Sequence, residues 1–255
     1  MSYDRHNEIL RLLAQERRIE VHDLVLRLCV SKETIRRDLE HLEKHGNLRR
    51  IRGGAVARQL SGKEPEYSLR EIKNYAEKHS VAAAAVNLVE DGNTLAIDIG
   101  TTCLEFAKLL KGKKKVTVIT NAIPIAIELA NDPGVRVILL GGNVRDGDYA
   151  SSGFLAEEAV RNFIVDKYIM GVGGLTLDAG ITDYVVEEAN LRRHLLERSQ
   201  ATVAVTDNSK FGVVAMNRIC DVSALHTLVT DQNADARMLA AIREKGVNVV
   251  LANTE

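Results

Sequence analysis

From Asn93 onward, short apolar runs alternate with helical segments, and this alternation constrains the fold more than any other feature of the chain. Seven of the apolar runs have the length and composition of strands, at Thr94–Ile99, Lys115–Thr120, Val135–Leu140, Lys167–Val172, Thr202–Thr206, Thr227–Thr230 and Val247–Leu251. Helices are predicted between them, ending near Leu110 and Asn131 and then at Leu155–Phe163, Val185–Ser199 and Ala234–Lys245. Because alternating strand–helix units bury both faces of a parallel sheet, the sequence predicts a Rossmann-like α/β domain.

Polar or glycine-rich loops follow several of these strands, at the sheet edge where such folds bind ligands. Gly100 permits close approach, and the hydroxyls of Thr101 and Thr102 can hold a phosphate together with free amides at a helix start. Each loop could also be a plain turn, but five of them at one edge favour a crevice for a small, polar, anionic ligand. The loops contribute Asp98, Gly100, Thr101, Thr102, Asn121, Gly141, Gly142, Gly173, Asp207 and Lys210.

The polar stretch 143–153 is predicted to be a surface loop. It could instead help to cover the ligand, with Arg145 as an anion contact.

The first 46 residues carry three short helical patterns. Helices are predicted from Arg5 to Gln15 and from His22 to Leu28. Ser31 can cap a third helix that runs to about His45 and stops at Gly46. Two helices joined by about three residues, the second beginning at a Ser cap, form the pattern of a helix-turn-helix.

The third helix has an apolar side, Ile35, Leu39 and Leu42, and a basic side, as a helix that reads DNA requires. Residues 48–56 follow as a predicted β-hairpin whose tip is Gly53-Gly54 and whose arginines could lie on the DNA backbone. A three-helix bundle with a solvated charged helix is the alternative. The predicted DNA-binding residues are Ser31, Lys32, Thr34, Arg36, Arg37, Arg49, Arg50 and Arg52.

Charge supports the same division of the chain. Residues 1–60 hold thirteen Lys and Arg against nine Asp and Glu, a balance of +4, whereas the whole chain has a net charge of −1. A basic segment on an acidic body indicates a local anionic partner. We therefore predict a DNA-binding domain at 1–57, a polar linker at 58–74 and an α/β effector-binding domain at 75–255, which starts with an Ala-rich helix from Tyr75 to Val89.

Cysteine usage and the amino-terminal residues limit the possible environments. The three cysteines, Cys29, Cys103 and Cys220, are far apart and odd in number, which argues against a disulfide framework or a zinc cluster. The start of the sequence has no apolar signal segment. These features predict a cytoplasmic protein without metal or cofactor.

The stretch VSKETIRRDLEHLEKHGNLRRIRGGA resembles the N-terminal signature of the DeoR/GlpR family of bacterial transcriptional regulators. The family usually has a His before the two glycines of the wing, and Arg52 stands there in this chain. DIGTT, TN, GG, GVGG, GITD, EEA and TDNSKFG then occur in the order of the family's sensor half, which is similar in fold to ribose-5-phosphate isomerase. The resemblance implies a phosphorylated sugar or related metabolite as effector. By this resemblance, the phosphate or hydroxyls of the effector would be held by Asp98, Gly100, Thr101 and Thr102. Asp207 and Lys210 would contact its sugar or carbonyl end. Glu188 is a weaker candidate for a contact.

Three functions compete at this point. The first is a repressor of a carbohydrate-metabolism operon that binds double-stranded operator DNA as a homodimer or homotetramer and responds to the effector. The second is a sugar-phosphate isomerase using Asp98, Asp207 and Lys210 for acid–base work, in which a basic winged helix would have no role. The third is an architectural DNA-binding protein without an effector.

Overall fold

The computed structural model describes residues 2–16, 18–44, 48–57, 59–60 and 64–253. The chain divides into two compact units, an N-terminal unit at Met1–Leu60 and a C-terminal unit at Ser61–Glu255. Each is described by itself below.

The N-terminal unit contains the three predicted helices. Its elements are α1 (Ser2–Glu16), β1 (Arg18–Glu20), α2 (Val21–Leu28), α3 (Lys32–Lys44), β2 (Leu48–Ile51), β3 (Gly54–Ala57) and β4 (Gln59–Leu60). Ile35, Leu39 and Leu42 of α3 are all buried, together with Leu12 and Leu24 of the first two helices. The predicted end of the third helix at His45 and Gly46 lies outside the described residues.

The predicted hairpin is present, and it belongs to a three-stranded antiparallel sheet in the order β1-β3-β2. The short stretch before the second helix is the third strand, β1, in which Ile19 pairs with Ala55. Gly53 has a φ of 88° at the tip. A Cβ on Gly54 would lie 2.1 Å from the carbonyl oxygen of Ile19, so only glycine allows β1 to pair there.

The C-terminal unit is built on a seven-stranded parallel sheet, as the alternating pattern predicted. Its helices are α4 (Tyr67–Ile72), α5 (Tyr75–Val86), α6 (Thr101–Leu110), α7 (Ile123–Leu129), α8 (Phe154–Val160), α9 (Val186–Glu197) and α10 (Ala236–Glu244). Its strands are β5 (Thr94–Ile97), β6 (Val116–Thr120), β7 (Val135–Leu139), β8 (Asn143–Val144), β9 (Ser151–Ser152), β10 (Val165–Gly171), β11 (Gly174–Thr176), β12 (Gly180–Asp183), β13 (Ser199–Val205), β14 (Val213–Val214), β15 (Asn217–Cys220), β16 (Thr227–Asp231) and β17 (Asn248–Ala252).

The order of the large sheet is β17-β16-β13-β10-β5-β6-β7, and every neighbouring pair is parallel. Successive strands run from β5 to β7 on one side and from β10 to β17 on the other. The chain therefore changes direction across the sheet between β5 and β10. A doubly wound sheet opens its ligand crevice at such a point, beyond the carboxyl ends of the two strands.

Two apolar layers cover the faces of this sheet. Leu95 and Ile97 of β5 point into a layer with α5, α6 and α7, whereas Ala96 between them points into a layer with α8, α9 and α10. The alternation explains why a strand buried on both faces reads as one continuous apolar run. Among the described residues, no helix is long and apolar enough to cross a membrane.

Three features differ from the prediction. Helix α4 lies in the stretch predicted as linker. The predicted surface loop 143–153 contains an antiparallel hairpin formed by β8 and β9. A second, antiparallel sheet in the order β11-β12-β15 stands beside the large one, and the GITD motif, which the sequence indicated only as a family motif, is the strand β12.

Candidate functional site

A cavity of about 130 Å³ opens at the direction change between β5 and β10. The loops after β5, β10 and β13 contribute Gly100, Thr101, Thr102, Gly173, Asp207 and Lys210 from the predicted set. Residues that were not predicted complete the lining and include Glu64, Arg70, Lys73, Asn74, Lys78, Asp183, Arg192 and Ser209. Asp98, Asn121, Gly141, Gly142 and Glu188 are absent from this lining among the described residues.

The cavity is electropositive. Its described lining holds five bases, Arg70, Lys73, Lys78, Arg192 and Lys210, against the three acids Glu64, Asp183 and Asp207, so the formal charge is +2. A positive, partly enclosed crevice concentrates anions. The start of α6 adds to this potential, because the amides of Thr101 and Thr102 have no partner inside their own helix and point to its N-terminal side.

Glycines shape two walls of the cavity. Gly100, before α6, has a φ of 128°, a backbone conformation that side-chain-bearing residues rarely adopt. A Cβ on Gly173 would lie 2.8 Å from the carbonyl oxygen of Thr182. The loop after β10 therefore packs closely against β12, and glycine is required there for packing.

The floor beneath the cavity is a buried ionic triad of Asp98, Arg192 and Asp183. Asp98 Oδ2 accepts from Arg192 Nε at 2.7 Å and from the amide of Gly171 at 3.1 Å, and Asp98 Oδ1 accepts from the amide of Ile99 at 2.8 Å. Arg192 Nη1 donates to Asp183 Oδ2. Burial raises the pKa of Asp98, although the charge of Arg192 opposes the shift. Because Asp98 is bonded to Arg192 and two amides and is absent from the described lining, its contact with ligand stays a prediction.

Two lysines at the cavity have no carboxylate within ion-pair distance among the described residues. Lys78 on α5 is 4% exposed, and Lys210 after β13 is half-buried. Burial lowers the pKa of both ammonium groups, and the charge of Asp207 only partly offsets it. Asp207 itself is committed to neighbours, since its Oδ1 accepts from Asn74 Nδ2 at 2.8 Å and from the amide of Ser209 at 2.9 Å.

The loops after β6 and β7 support the β8–β9 hairpin. Asn121 Nδ2 donates to the carbonyl of Ser151 at 3.0 Å, and the Ser151 hydroxyl donates to the carbonyl of Leu140 at 2.5 Å. A Cβ on Gly142 would lie 2.4 Å from the carbonyl oxygen of Ser152, and its neighbour Gly141 belongs to the same turn. These residues lie at carboxyl ends of strands, as predicted, but one and two strands away from the direction change.

Arg145 in this hairpin contacts three carboxylates. Its Nε lies 2.7 Å from Asp148 Oδ1 and 3.2 Å from Glu188 Oε1, and its Nη2 lies 2.9 Å from Glu64 Oε2. The same cluster includes Arg70, whose Nη1 is 2.8 Å from the other oxygen of Glu64. An anion contact by Arg145 would have to displace these partners, so Arg145 and Glu188 hold the wall of the site together.

Glu188 gives a pH-dependent prediction. Burial raises its pKa from 4.5 to about 8, despite the charges of Arg192 and Arg145. A carboxyl that is protonated when folded and ionised when unfolded stabilises the fold fully below pH 4.5, and this contribution disappears as the pH rises to 8. Glu188→Gln should remove this loss of stability. Between pH 4.5 and 8 the free energy of unfolding of the variant should therefore change less than that of the wild type, by up to about 2–3 kcal/mol.

Urea unfolding at several pH values between 5 and 8 measures this effect. The neighbouring exposed Glu187→Gln is the matched control and should keep the wild-type pH dependence. An unchanged pH dependence in Glu188→Gln would show that Glu188 is ionised in the folded protein at neutral pH.

The sequence carried a usable signal for two of the missed residues. Lys78 lies on the same helical stripe as Val81, Ala82 and Ala85, at spacings of three, four and seven, and all four are buried. Arg192 likewise shares a buried stripe of α9 with Glu188 and Leu195. A charged residue inside an apolar stripe indicates a buried, specifically paired group.

The predicted DNA-binding residues lie in or beside α3 and the wing. The side chains of Arg36 and Arg37 are 55% and 80% exposed, and Lys32 is exposed. The amide of Thr34 donates to the Ser31 hydroxyl at 3.1 Å, so the predicted N-cap is present. Arg50 and Arg52 lie on the wing with Arg49, whose side chain is outside the described part.

Asp38 fixes α3 against α1 from the other side. It is 6% exposed, and its oxygens accept from Arg5 Nη2 and contact His6 Nε2, both at 2.9 Å. Burial alone would raise the pKa of Asp38, but the hydrogen bonds from Arg5 and His6 lower it. Asp38 is an acidic residue in a basic helix, and this was the sequence signal for the contact. The contact holds α3 against α1 while the arginines of α3 stay exposed.

Comparisons with known proteins match both units. The DeoR-like helix-turn-helix domain matches residues 5–59, and the DeoR C terminal sensor domain matches residues 73–232. The regulator GolR of Listeria innocua is 34% identical, covering 98% of each chain. A putative aga operon transcriptional repressor of Escherichia coli O157:H7 is 33% identical, covering 97% of this chain and 93% of its own. The glycerol-3-phosphate regulon repressor of Escherichia coli K12 is 29% identical, covering 97% of this chain and 98% of its own.

Among solved structures, ribose 5-phosphate isomerase A of Methanocaldococcus jannaschii is similar with a TM-score of 0.41, at 16% identity and 55% coverage of each chain. A similarity this low says nothing about activity. The two family matches and the relatives that span nearly the whole chain agree with the exposed basic helix and the parallel-sheet unit described above. The chain belongs to the DeoR/GlpR family of DNA-binding transcriptional regulators.

Proposed function

We propose that this regulator is a repressor of a carbohydrate-metabolism operon, and that a small phosphorylated sugar or related metabolite releases it from its operator. The observation that carries the proposal is the pair Lys78 and Lys210, which border the cavity without a carboxylate in ion-pair distance among the described residues. Two relatives, named as a putative repressor of the aga operon and as the repressor of a glycerol-3-phosphate regulon, support the same proposal.

An anion is the ligand that this cavity binds best. A buried ammonium group without a counter-ion is unfavourable, and a phosphate beside Lys78 and Lys210 would remove the imbalance. Thr101 and Thr102 can add hydroxyl and amide donors from the start of α6. The size limits the ligand to a small molecule, because about 130 Å³ corresponds to roughly four waters at about 30 Å³ each.

Catalysis by this cavity is not favoured. An isomerase needs a carboxylate or similar base within reach of a substrate proton. Asp98 is held by Arg192 and two amides, and Asp207 Oδ1 by Asn74 and an amide. We therefore expect no turnover when the protein is incubated with ribose 5-phosphate and similar aldose phosphates, and formation of the ketose product would overturn the regulator-only function.

The regulation follows from linkage. If effector binds more tightly to the conformation that holds the DNA-binding units wrongly for the operator, it shifts the population away from DNA, and operator DNA must weaken effector binding by the same factor. A homodimer or homotetramer is expected because paired half-sites need paired recognition helices. Light scattering of the protein in solution measures this oligomeric state.

A thermal-shift screen of phosphorylated sugars tests the effector class. The compounds that raise the melting temperature should also lower operator binding in fluorescence anisotropy. If none of them does either, an architectural DNA-binding protein without an effector becomes the better account.

Lys210→Met should weaken binding of the selected sugar phosphate by about ten- to a hundredfold, because it removes one charge-assisted hydrogen bond. Isothermal titration calorimetry measures the change. Lys167→Met is the matched control, since Lys167 is also half-buried but lies on β10 outside the cavity lining and bonds to Asn93 at 3.1 Å. Operator binding without effector should stay at the wild-type level in both variants, and equal effector affinity in both would contradict the proposed phosphate site.

A further inference from the structure

The stretch Glu64–Asn74, here called the strap, connects the two functions of the chain. In the sequence it follows the DNA-binding unit, which ends at Leu60. Within the C-terminal unit it borders the cavity through residues that include Glu64, Arg70, Lys73 and Asn74. Any ligand in the cavity therefore meets the strap directly.

The strap is held to the unit by polar contacts. Its helix α4 has six residues and none of them is buried, and Leu69 and Ile72 are 61% and 78% exposed. A helix this short is unstable without tertiary contacts. Segments with few buried apolar contacts also open at low free energy, so the polar contacts decide the state of the strap.

Four groups make these contacts, and one of them is Arg145, whose Nη2 lies 2.9 Å from Glu64 Oε2. Lys78 Nζ donates to the carbonyl oxygen of Arg70 in the last turn of α4. The Arg70 guanidinium lies 2.8 Å from Glu64 Oε1 and 3.2 Å from Asp148 Oδ2. Asn74 Nδ2 donates to Asp207 Oδ1 at 2.8 Å. Lys78, Arg70, Asn74 and Asp207 all line the cavity.

An anion can replace the Arg70 carbonyl as the hydrogen-bond partner of Lys78. Its ammonium group is buried, yet its hydrogen-bond partner is a neutral carbonyl. A charged partner forms a stronger hydrogen bond to an ammonium than a peptide carbonyl does. Burial lowers the pKa of Lys78, the charges of Asp207 and Glu105 oppose this shift, and those of Lys210 and Arg70 add to it. An anion entering between these cations would reverse that unfavourable environment.

We propose that Lys78 is an exchangeable latch, which holds the Arg70 carbonyl when the cavity is empty and binds the anionic group of the effector when the cavity is filled. The proposal rests on the proposed function, because it requires an anionic effector in this cavity. In the filled state α4 loses the hydrogen bond at its last turn, and the strap loosens. Since the strap follows the DNA-binding unit in the chain, this change is the local event that shifts the population of DNA-binding states.

Hydrogen–deuterium exchange of the full-length wild-type protein tests the latch with inorganic phosphate as the probe. The protected amides of α4 include those of Arg70 and Lys73, which donate to Glu66 and Leu69 at 3.0 and 3.1 Å. Phosphate should accelerate their exchange by about tenfold, the effect of losing one such hydrogen bond. Sodium chloride at the same ionic strength should not, and β6 should stay protected in both. Unchanged or slower exchange of α4 with phosphate would overturn the proposal.

Lys78→Met removes both the latch and the anion contact. The α4 amides of this variant should exchange rapidly with and without phosphate, and its affinity for phosphate should fall by about tenfold. Lys113→Met is the matched control, because Lys113 is a half-buried lysine that also donates to a carbonyl, that of Val89 at 2.7 Å, but lies outside the cavity lining, and this variant should keep the wild-type α4 protection and phosphate affinity. Lys78→Arg should restore part of the protection.

A purely structural role for Lys78 gives a different result. Lys78→Met would then loosen α4 but keep the wild-type phosphate affinity, and this combination contradicts the exchange. A failure of the proposed function gives a result that differs from that of the latch and from that of a purely structural role. In that case phosphate loosens α4 in the wild type, but no phosphorylated sugar changes operator binding.

Discussion

Replacing Arg192 with methionine should lower the free energy of unfolding of the C-terminal unit by about 3–5 kcal/mol, because it leaves two buried carboxylates without their counter-ion. Asp98, Asp183 and Arg192 are each at most 5% exposed. The Arg192 guanidinium contacts both acids, with a 2.7 Å hydrogen bond from its Nε to Asp98. Methionine fills the space of the arginine stem but supplies no donor.

Replacing Arg192 should also change the shape of the cavity. Asp98 also accepts from the amide of Gly171, so one carboxylate links the carboxyl ends of β5 and β10. Without Arg192 the remaining charges of Asp98 and Asp183 repel each other inside the protein. The variant is therefore expected to bind sugar phosphates weakly even at temperatures where it is folded.

Urea unfolding followed by far-ultraviolet circular dichroism measures the stability change. Arg193→Met is the matched control on the same helix, because Arg193 is only half-buried and bonds to Asn190 at 2.7 Å. Changing all three triad residues together, Asp98→Asn, Asp183→Asn and Arg192→Met, should recover part of the stability. A loss below 1 kcal/mol in the single variant would show that the triad is not a coupled ionic unit.

Arg36→Ala and Arg37→Ala should each weaken operator binding by about ten- to a hundredfold, since one base or phosphate contact contributes roughly 1–3 kcal/mol. Both guanidinium groups are exposed, and each lies 3.9 Å from a carboxylate oxygen of Glu33, a distance at which the pairs are weak. Desolvating these side chains on DNA therefore opposes binding only slightly. Binding of effector by the C-terminal unit should be unaffected.

Fluorescence anisotropy with a DNA duplex selected from a random library tests these variants. The salt dependence separates two kinds of contact. A phosphate contact lowers the salt slope by about one and affects all sequences alike, whereas a base contact relaxes specificity at one position. Arg11→Ala is the control, because Arg11 is exposed on α1 and pairs with Glu8. Retained specific binding by both recognition-helix variants would remove α3 from the interface.

The sequence predicted the elements of the large sheet because their signal is local. A strand buried on both faces, such as β5, is a continuous apolar run, and the apolar side of α3 repeats with the helical period. The small sheet β11-β12-β15 was not predicted, because its strands have only three or four residues and β15 pairs with β12 across a long stretch of chain, as Arg218 does with Thr182. Pairing at a distance leaves no local period.

The candidate site was predicted in part for the same reason. Thr101 and Thr102 follow β5, which borders the direction change, whereas Asn121 and Gly142 follow β6 and β7, one and two strands away from it. The order of the strands in the sheet decides which loops lie next to one another. The alternation of strands and helices along the sequence does not predict this order. The strap lies in the stretch that its polar composition predicted as linker, and its contact between Arg70 and Asp148 joins residues 78 positions apart, which no local pattern indicates.

Two sides of the cavity are held in place by different kinds of contacts. The floor is fixed by the Asp98–Arg192–Asp183 triad and by backbone amides of the sheet, whereas the strap contributes Arg70, Lys73 and Asn74 from a helix without a buried residue. Substitutions in the strap can therefore alter the shape and donors of the site while the sheet keeps its stability. If the cavity binds an effector as proposed, its ligand preference can change independently of the sheet, through the segment that follows the DNA-binding unit in the sequence.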